Sequence, residues 1–226
     1  MNKTSQYEKY FVIGYNKTGT TTFHRLFSMN GFRSQHSIGK KWDLDSYDCF
    51  SDNGQMNKFQ ELDDKFQNAI FILNTRNLRS WLISRLMHGQ KMKTSWAYPP
   101  SVALCHKWIL DRDQYHRKVL EHFKNKKEKL IVVSIDEKDW ITYLANKLNF
   151  QHYNDNIELN KTKESENESM RDLMVSIVDE AFAQWKYSDN DKKQILIINS
   201  LAADDYLKIY ENNITTIKNP PQDFNL

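Results

Sequence analysis

The segment Gly14-Tyr-Asn-Lys-Thr-Gly-Thr-Thr-Thr22 carries the densest chemistry in the chain. Gly14 and Gly19 stand five positions apart, the offset of a phosphate-cradling loop. Such a loop turns successive backbone N–H groups inward and ends at the positive end of a helix. Thr18, Thr20, Thr21 and Thr22 add hydroxyl donors, and Lys17 adds a full positive charge at the same place. The nucleotide-triphosphate pattern GxxxxGK[ST] puts its lysine directly after the second glycine. Here Thr20 holds that position and the lysine lies inside the loop, at 17. An ATPase or GTPase built on this segment would lack its usual β/γ-phosphate lysine. The same residues also read as a Thr-rich helix cap with an incidental lysine. The order strand, loop, Lys, Gly, helix favours the phosphate reading.

A second segment places Arg76 after the apolar run AIFILNT and Ser84 eight residues further on. A guanidinium is a planar, bidentate clamp for phosphate. The carboxyl end of a parallel strand is the edge where α/β proteins bind ligands. Ser84, roughly two turns into a following helix, can add a hydroxyl. Taken singly, Arg76 reads equally as an ion-pair residue and Ser84 as plain helix surface; together with the first loop they read as a second anion clamp.

On these residues the chain resembles the P-loop sulfotransferases, which use 3′-phosphoadenosine 5′-phosphosulfate (PAPS). Their 5′-phosphosulfate loop reads approximately K-[ST]-G-T-[TS] after a strand, and this chain has Lys17-Thr18-Gly19-Thr20-Thr21. They carry a strand ending in Arg with a Ser eight positions later, as Arg76 and Ser84 do here. RNLRSWLIS, residues 76–84, is similar to an RDPxSWLxS variant of one branch, and the stretch from His116 to Ile135 is similar to that branch too. The resemblance covers about residues 10–150. Leu78 stands where proline is common, and no RxGxxG-type loop follows near the C-terminus, which sets the chain apart from the cytosolic members that use one.

The resemblance implies a fold, a reaction and roles. The fold is a P-loop-type three-layer α/β/α domain with a central parallel sheet. The reaction is an in-line, metal-independent sulfuryl transfer from PAPS to a hydroxyl or amine, leaving 3′,5′-adenosine bisphosphate. Lys17 would meet the bridging oxygen. Thr18, Gly19, Thr20, Thr21 and Thr22 would hold the 5′-phosphosulfate, and Arg76 with Ser84 the 3′-phosphate. The acceptor would be a small molecule, a carbohydrate or a lipid. Relatives put the general base either just after the first helix, where His36 lies, or at a strand end about two dozen residues before the Arg, where Asp52 lies. Both stay open, and either also reads as a solvated loop residue. His88 and His106 are weaker candidates. Residues 88–101, with Lys91 and Lys93, read equally as an acceptor-binding flap and as an ordinary basic loop. Trp42, Trp96 and Tyr98 suit a sugar face or a core.

Elements must position these groups. Apolar runs without alternation at residues 10–14, 69–75 and 130–135 predict strands of a parallel sheet covered on both faces. Short strands are expected within 32–37 and near 47–50. Helical periodicity predicts helices from residue 21, over 78–87, after Pro99-Pro100 with Val102, Cys105, Ile109, Tyr115, Val119 and Phe123 on one face, and over 140–148. This alternation argues for an α/β domain. Residues 154–169 read as a linker, two further helices are expected near 170–186 and 191–211, and 216–226 as a tail. The whole chain, 1–226, is expected to form one domain with its core at about 10–150 and a C-terminal helical part at about 155–215.

Composition narrows the partners. The chain has 226 residues and a formal charge of +3 from 32 Lys+Arg and 29 Asp+Glu. That balance gives no basic stripe for nucleic acid. Cys49 and Cys105 form no zinc or disulfide pattern, and the seven His show no HExxH spacing. With no signal peptide and no apolar stretch of membrane length, a cytoplasmic protein is expected. Two other functions share these motifs. A P-loop kinase-like phosphotransferase needs Mg²⁺ ligands and an arginine lid, which Arg25, Arg76, Arg79 and Arg85 do not compose. A non-catalytic nucleotide-binding protein would keep the fold without the base.

Overall fold

Strands that read apolar at every position need cover on both faces, and the chain supplies it. The computed structural model describes residues 7–36, 41–52, 56–95, 97–153 and 168–202. Five strands, β1 (Lys9–Val12), β2 (Ser34–His36), β3 (Cys49–Ser51), β4 (Ala69–Thr75) and β5 (Leu130–Ser134), pair in the order β2-β3-β1-β4-β5. Every pairing is parallel, with Phe11 opposite Phe71 and His36 opposite Ser51. The helices are α1 (Thr20–Met29), α2 (Phe59–Lys65), α3 (Leu78–Met92), α4 (Val102–Phe123), α5 (Trp140–Leu148), α6 (Glu168–Ala183) and α7 (Asp189–Asn199).

Strand parity divides the core into two layers. Tyr10, Val12, Ile70, Ile72, Ile131 and Val133 face α1 and α5, against Phe23, Phe27, Ile141 and Leu144. Phe11, Ile13, Phe71, Leu73, Leu130 and Val132 face α2 and α4, against Phe59, Tyr115, Val119 and Phe123. The result is the expected α/β architecture, an all-parallel sheet between helical layers. A third cluster joins α3, α4 and α6 through Trp81, Leu82, Trp108, Ile109, Met174 and Val178.

Several expectations change. The helix α2 was not expected; it is short, and only Phe59 and Leu62 mark its apolar side. The helix α3 runs on to Met92, so residues 88–92 belong to it and not to a flap. The rest of that segment is packed back: Ala97 is buried, and a Cβ on Gly89 would lie 2.3 Å from the Ala97 Cβ. Trp42 is buried and stacks on Phe11 at 5.8 Å, so it is core and has no face for a sugar. The helix α4 buries polar side chains as well as apolar ones: Arg112 and His116 on the apolar stripe, and His106 and Asp113 beside it. The helix α7 ends at Asn199, well before residue 211. Trp96, residues 154–167 and the tail 216–226 lie outside the described residues. No described helix is long and apolar enough to cross a membrane, and Cys49 and Cys105 are free and buried.

Candidate functional site

All five strands point the same way, so the residues that follow them gather at one edge of the sheet. Lys17 follows β1, His36 ends β2, Asp52 follows β3 and Arg76 follows β4. The strand order places β1 at the centre, between β3 and β4.

The loop after β1 is held open by its carbonyls. Trp81 Nε1 donates to Asn16 O at 2.9 Å, and Arg76 Nη1 donates to Lys17 O at 3.2 Å. Asn74 Nδ2 donates to Thr18 O at 2.9 Å. Three successive carbonyls are thus drawn toward β4 and α3. In a trans peptide the next N–H points the opposite way, and the N–H groups of Lys17, Thr18 and Gly19 donate to no described residue. The loop therefore presents a run of backbone donors and leads into α1, whose N-terminus has no side-chain cap and no acid in its first turn. Lys17 (φ 67) and Gly19 (φ 82) take left-handed backbone to make this shape.

Asn74 is the residue that the sequence reading missed. It is fully buried, its Oδ1 accepts from Gly14 N at 2.7 Å, and its Nδ2 also reaches Thr18 Oγ1 at 2.6 Å. One side chain of β4 therefore pins both ends of the loop. Its only signal was a polar letter inside an otherwise apolar buried strand. A Cβ on Gly14 would sit 2.0 Å from Asn74 O, so this close approach needs glycine. The Thr18 hydroxyl donates to Tyr15 O and is enclosed by Asn74; what Thr18 can offer an anion is its backbone N–H. Thr20 and Thr22 are buried at the start of α1, and Thr21 is half-buried.

The two alternative bases prove to be neighbours. Parallel pairing of β2 with β3 puts His36 opposite Ser51, whose Oγ lies 3.0 Å from His36 Nδ1. Asp52 comes next, and its Oδ2 is 3.8 Å from His36 Nε2. That separation is a charge contact and not a hydrogen bond. Thr21 Oγ1 is 3.3 Å from the same Nε2, which ties the pair to the first turn of α1. Asp52 also sits in left-handed backbone (φ 59). Non-glycine residues in that region carry strain, and strain collects at working sites. Burial raises the Asp52 pKa, with His36 and Lys17 opposing. Burial lowers that of His36, with Asp52 opposing. The two values therefore converge and titrate as one system. Burial also lowers the Lys17 pKa, with Asp52 opposing and Arg76 and Arg85 reinforcing.

On the other flank, Arg85 Nη1 donates to Asn16 Oδ1 at 2.9 Å, and its guanidinium lies 4.4 Å from the Trp108 ring centroid. Burial pulls its pKa down to about 10. Ser84 precedes it on α3, half-buried. His106 is removed from the site, because its Nε2 bonds Ala181 O at 2.7 Å and joins α4 to α6. His88 lies close enough for Lys17 and Arg85 to help burial lower its pKa. Among the described residues no cluster of His, Cys, Asp or Glu suits a metal ion.

Chemically, the edge offers a backbone cradle, one lysine beside it, a guanidinium at the next strand and a carboxylate–imidazole pair whose Asp52 is near enough to feel the lysine's charge. No protein-family model, curated protein or solved structure matches this chain, so the site is read from its own geometry.

Proposed function

We propose that the chain is a sulfotransferase that moves the sulfuryl group of PAPS to a hydroxyl. The observation that carries this reading is the combination of the loop with its carbonyls tied back and the Asp52–His36 pair, whose Asp52 is near enough to feel the charge of Lys17. A transfer between two oxygens needs these parts and little else. The loop N–H groups receive the phosphosulfate. The acceptor hydroxyl gives its proton to the Asp52–His36 pair as its oxygen bonds to sulfur. The bond from sulfur to the bridging oxygen breaks, its electron pair stays on the departing bisphosphate, and Lys17 meets the charge that grows there. Arg76 takes the 3′-phosphate, which distinguishes this nucleotide from AMP or ATP.

The position of the lysine favours this reading over a kinase, since no charge follows Gly19 where a triphosphate would need it. The base pair favours a hydroxyl over an amine, which needs less help to lose its proton. A thermal-shift panel with 3′,5′-adenosine bisphosphate, AMP, ADP, ATP–Mg and GTP–Mg tests the cofactor class. A ligand at 100 times its dissociation constant stabilises by about 2.7 kcal/mol, and the bisphosphate should give the largest shift. The largest shift from ATP–Mg would replace this proposal with a phosphotransferase.

A further inference from the structure

Arg112, in the middle of α4, is fully buried, and no described carboxylate pairs with it. A buried charge without a counter-ion is costly, and an apolar side chain of similar size would serve packing better. Its Nη2 donates to two main-chain carbonyls, Arg76 O and Asn199 O, each at 2.8 Å. Its plane lies 4.4 Å from the Trp81 ring centroid, while Nε and Nη1 have no hydrogen-bond partner among the described residues. Burial above all lowers its pKa to about 9, so the group remains a cation at neutral pH.

The two carbonyls belong to different parts of the molecule. Asn199 O lies at the C-terminal end of α7, where a helix carries the negative end of its dipole. The same end is docked twice more. His116 Nδ1 donates to Ile198 O at 2.9 Å, and the Thr75 hydroxyl donates to Leu201 O. Because a carbonyl only accepts, His116 carries a proton on Nδ1, and burial pulls its pKa down to about 3, which leaves the ring neutral at neutral pH. Arg76 O belongs to the peptide that joins Arg76 to Asn77, and the N–H of that peptide donates to Asp136 Oδ2. The peptide is therefore clamped at both its polar atoms, by Arg112 on one side and Asp136 on the other. This fixes where the Arg76 side chain departs, and its Nη1 reaches Lys17 O.

We propose that Arg112 is a positioning residue for Arg76, and that α7 is a working part of the anion site because its C-terminal carbonyls supply the counter-charge for Arg112. The chain of contacts runs from α7 through Arg112 and the Arg76 peptide to the loop. This inference rests on the reading of Arg76 as the 3′-phosphate clamp, and the test separates the two. Calorimetry on wild type, Arg112→Met, Arg76→Ala and the double variant measures binding of 3′,5′-adenosine bisphosphate, AMP and inorganic phosphate. Misplacing a clamp from a distance should weaken the bisphosphate roughly tenfold in Arg112→Met and change AMP by less than about twofold. In the Arg76→Ala background the Arg112 substitution should cost nothing further. Equal weakening of both nucleotides, or a full effect that persists without Arg76, would overturn the proposal. Wild type binding AMP as well as the bisphosphate would instead reject the cofactor reading. The coupling is then read on inorganic phosphate, where additive losses would still overturn the proposal. Arg112→Lys covers a failure of the Met variant to fold, since it keeps the charge but its shorter side chain ends before the position from which Nη2 reaches both carbonyls. It should show the same selective loss at smaller size; wild-type selectivity in Arg112→Lys would also overturn the proposal.

Discussion

Charge gathers at both ends of the sheet, and the two ends treat it differently. At the amino end, Asp63 of α2 is buried and accepts from His122 Nε2 at 2.9 Å, from Lys126 Nζ at 2.7 Å and from Lys129 Nζ. Three side chains there share the one carboxylate. At the carboxyl end, Lys17, Arg76 and Arg112 meet no carboxylate within ion-pair distance among the described residues. They spend their donors on main-chain carbonyls or keep them unused. The first arrangement closes on itself and has nothing left to give a ligand. The second leaves the Lys17 ammonium and the loop N–H groups without a protein partner among the described residues, where an anion can take them. Proteins accept such local violations where they work, and the left-handed backbone at Lys17 and Asp52 falls at the same end.

The comparison breaks first at the base. On the proposed function, Asp52→Asn should lower kcat by roughly 10²–10⁴-fold, the scale of general base catalysis. Bisphosphate binding should survive. Only the deprotonated pair can take a proton, so kcat/KM rises with pH and is lost as pH falls. Burial raises the Asp52 value, so this acid limb should lie above the ordinary carboxylate range. His36→Ala removes the charge that opposes the effect of burial on Asp52, and the limb should move upward. An unchanged profile in both variants would take the pair out of the chemistry.

Lys17→Ala comes next. Loss of one charge-stabilising donor should slow turnover roughly 10²–10³-fold. The melting temperature should change little, because burial and repulsion from Arg76 and Arg85 disfavour this ammonium while Asp52 attracts it. A clear fall in melting temperature with turnover intact would make Lys17 a structural residue, and the carboxyl end would then resemble the amino end.

Much of the architecture was legible because the strands are buried on both faces. AIFILNT and LIVVS read as apolar blocks, and the structure covers both of their faces with helices. The loop was legible from glycine, threonine and lysine spacing. Other features were hidden for physical reasons. The strands β2 and β3 have three residues each, too few to show a period, so nothing in the sequence said that His36 and Asp52 would lie side by side. Arg112 and His116 fall on the apolar stripe of α4, between Ile109 and Val119, and what they bond there depends on the docking of α7, which lies more than 80 residues away in sequence. Asn74 is a single letter in an apolar run, and its role depends on a loop 56 to 60 residues away in sequence.

The mildest prediction concerns the amino end. Asp63→Asn keeps the shape but removes the charge that Lys126, Lys129 and His122 share. Burial alone would raise the Asp63 pKa, yet hydrogen bonds from Lys126, Lys129 and His122 outweigh it and hold the carboxyl below its ordinary value. A carboxyl with a depressed folded value contributes stability that is present above the unfolded value and lost as pH falls through the folded one. The substitution should therefore cost about 1–3 kcal/mol at neutral pH. The lower half of that range is favoured, because Lys126 is 43% exposed and water can take over its charge. Denaturant titration should show the loss at pH 7 and a difference between wild type and variant that shrinks as pH falls below the ordinary carboxylate range. Turnover at saturating substrate should match wild type, since the amino end lies across the sheet from Lys17. If Asp63→Asn lowered kcat without lowering stability, the two ends would not divide structure from function, and the unmatched charge at the carboxyl end would lose its meaning as a mark of the site.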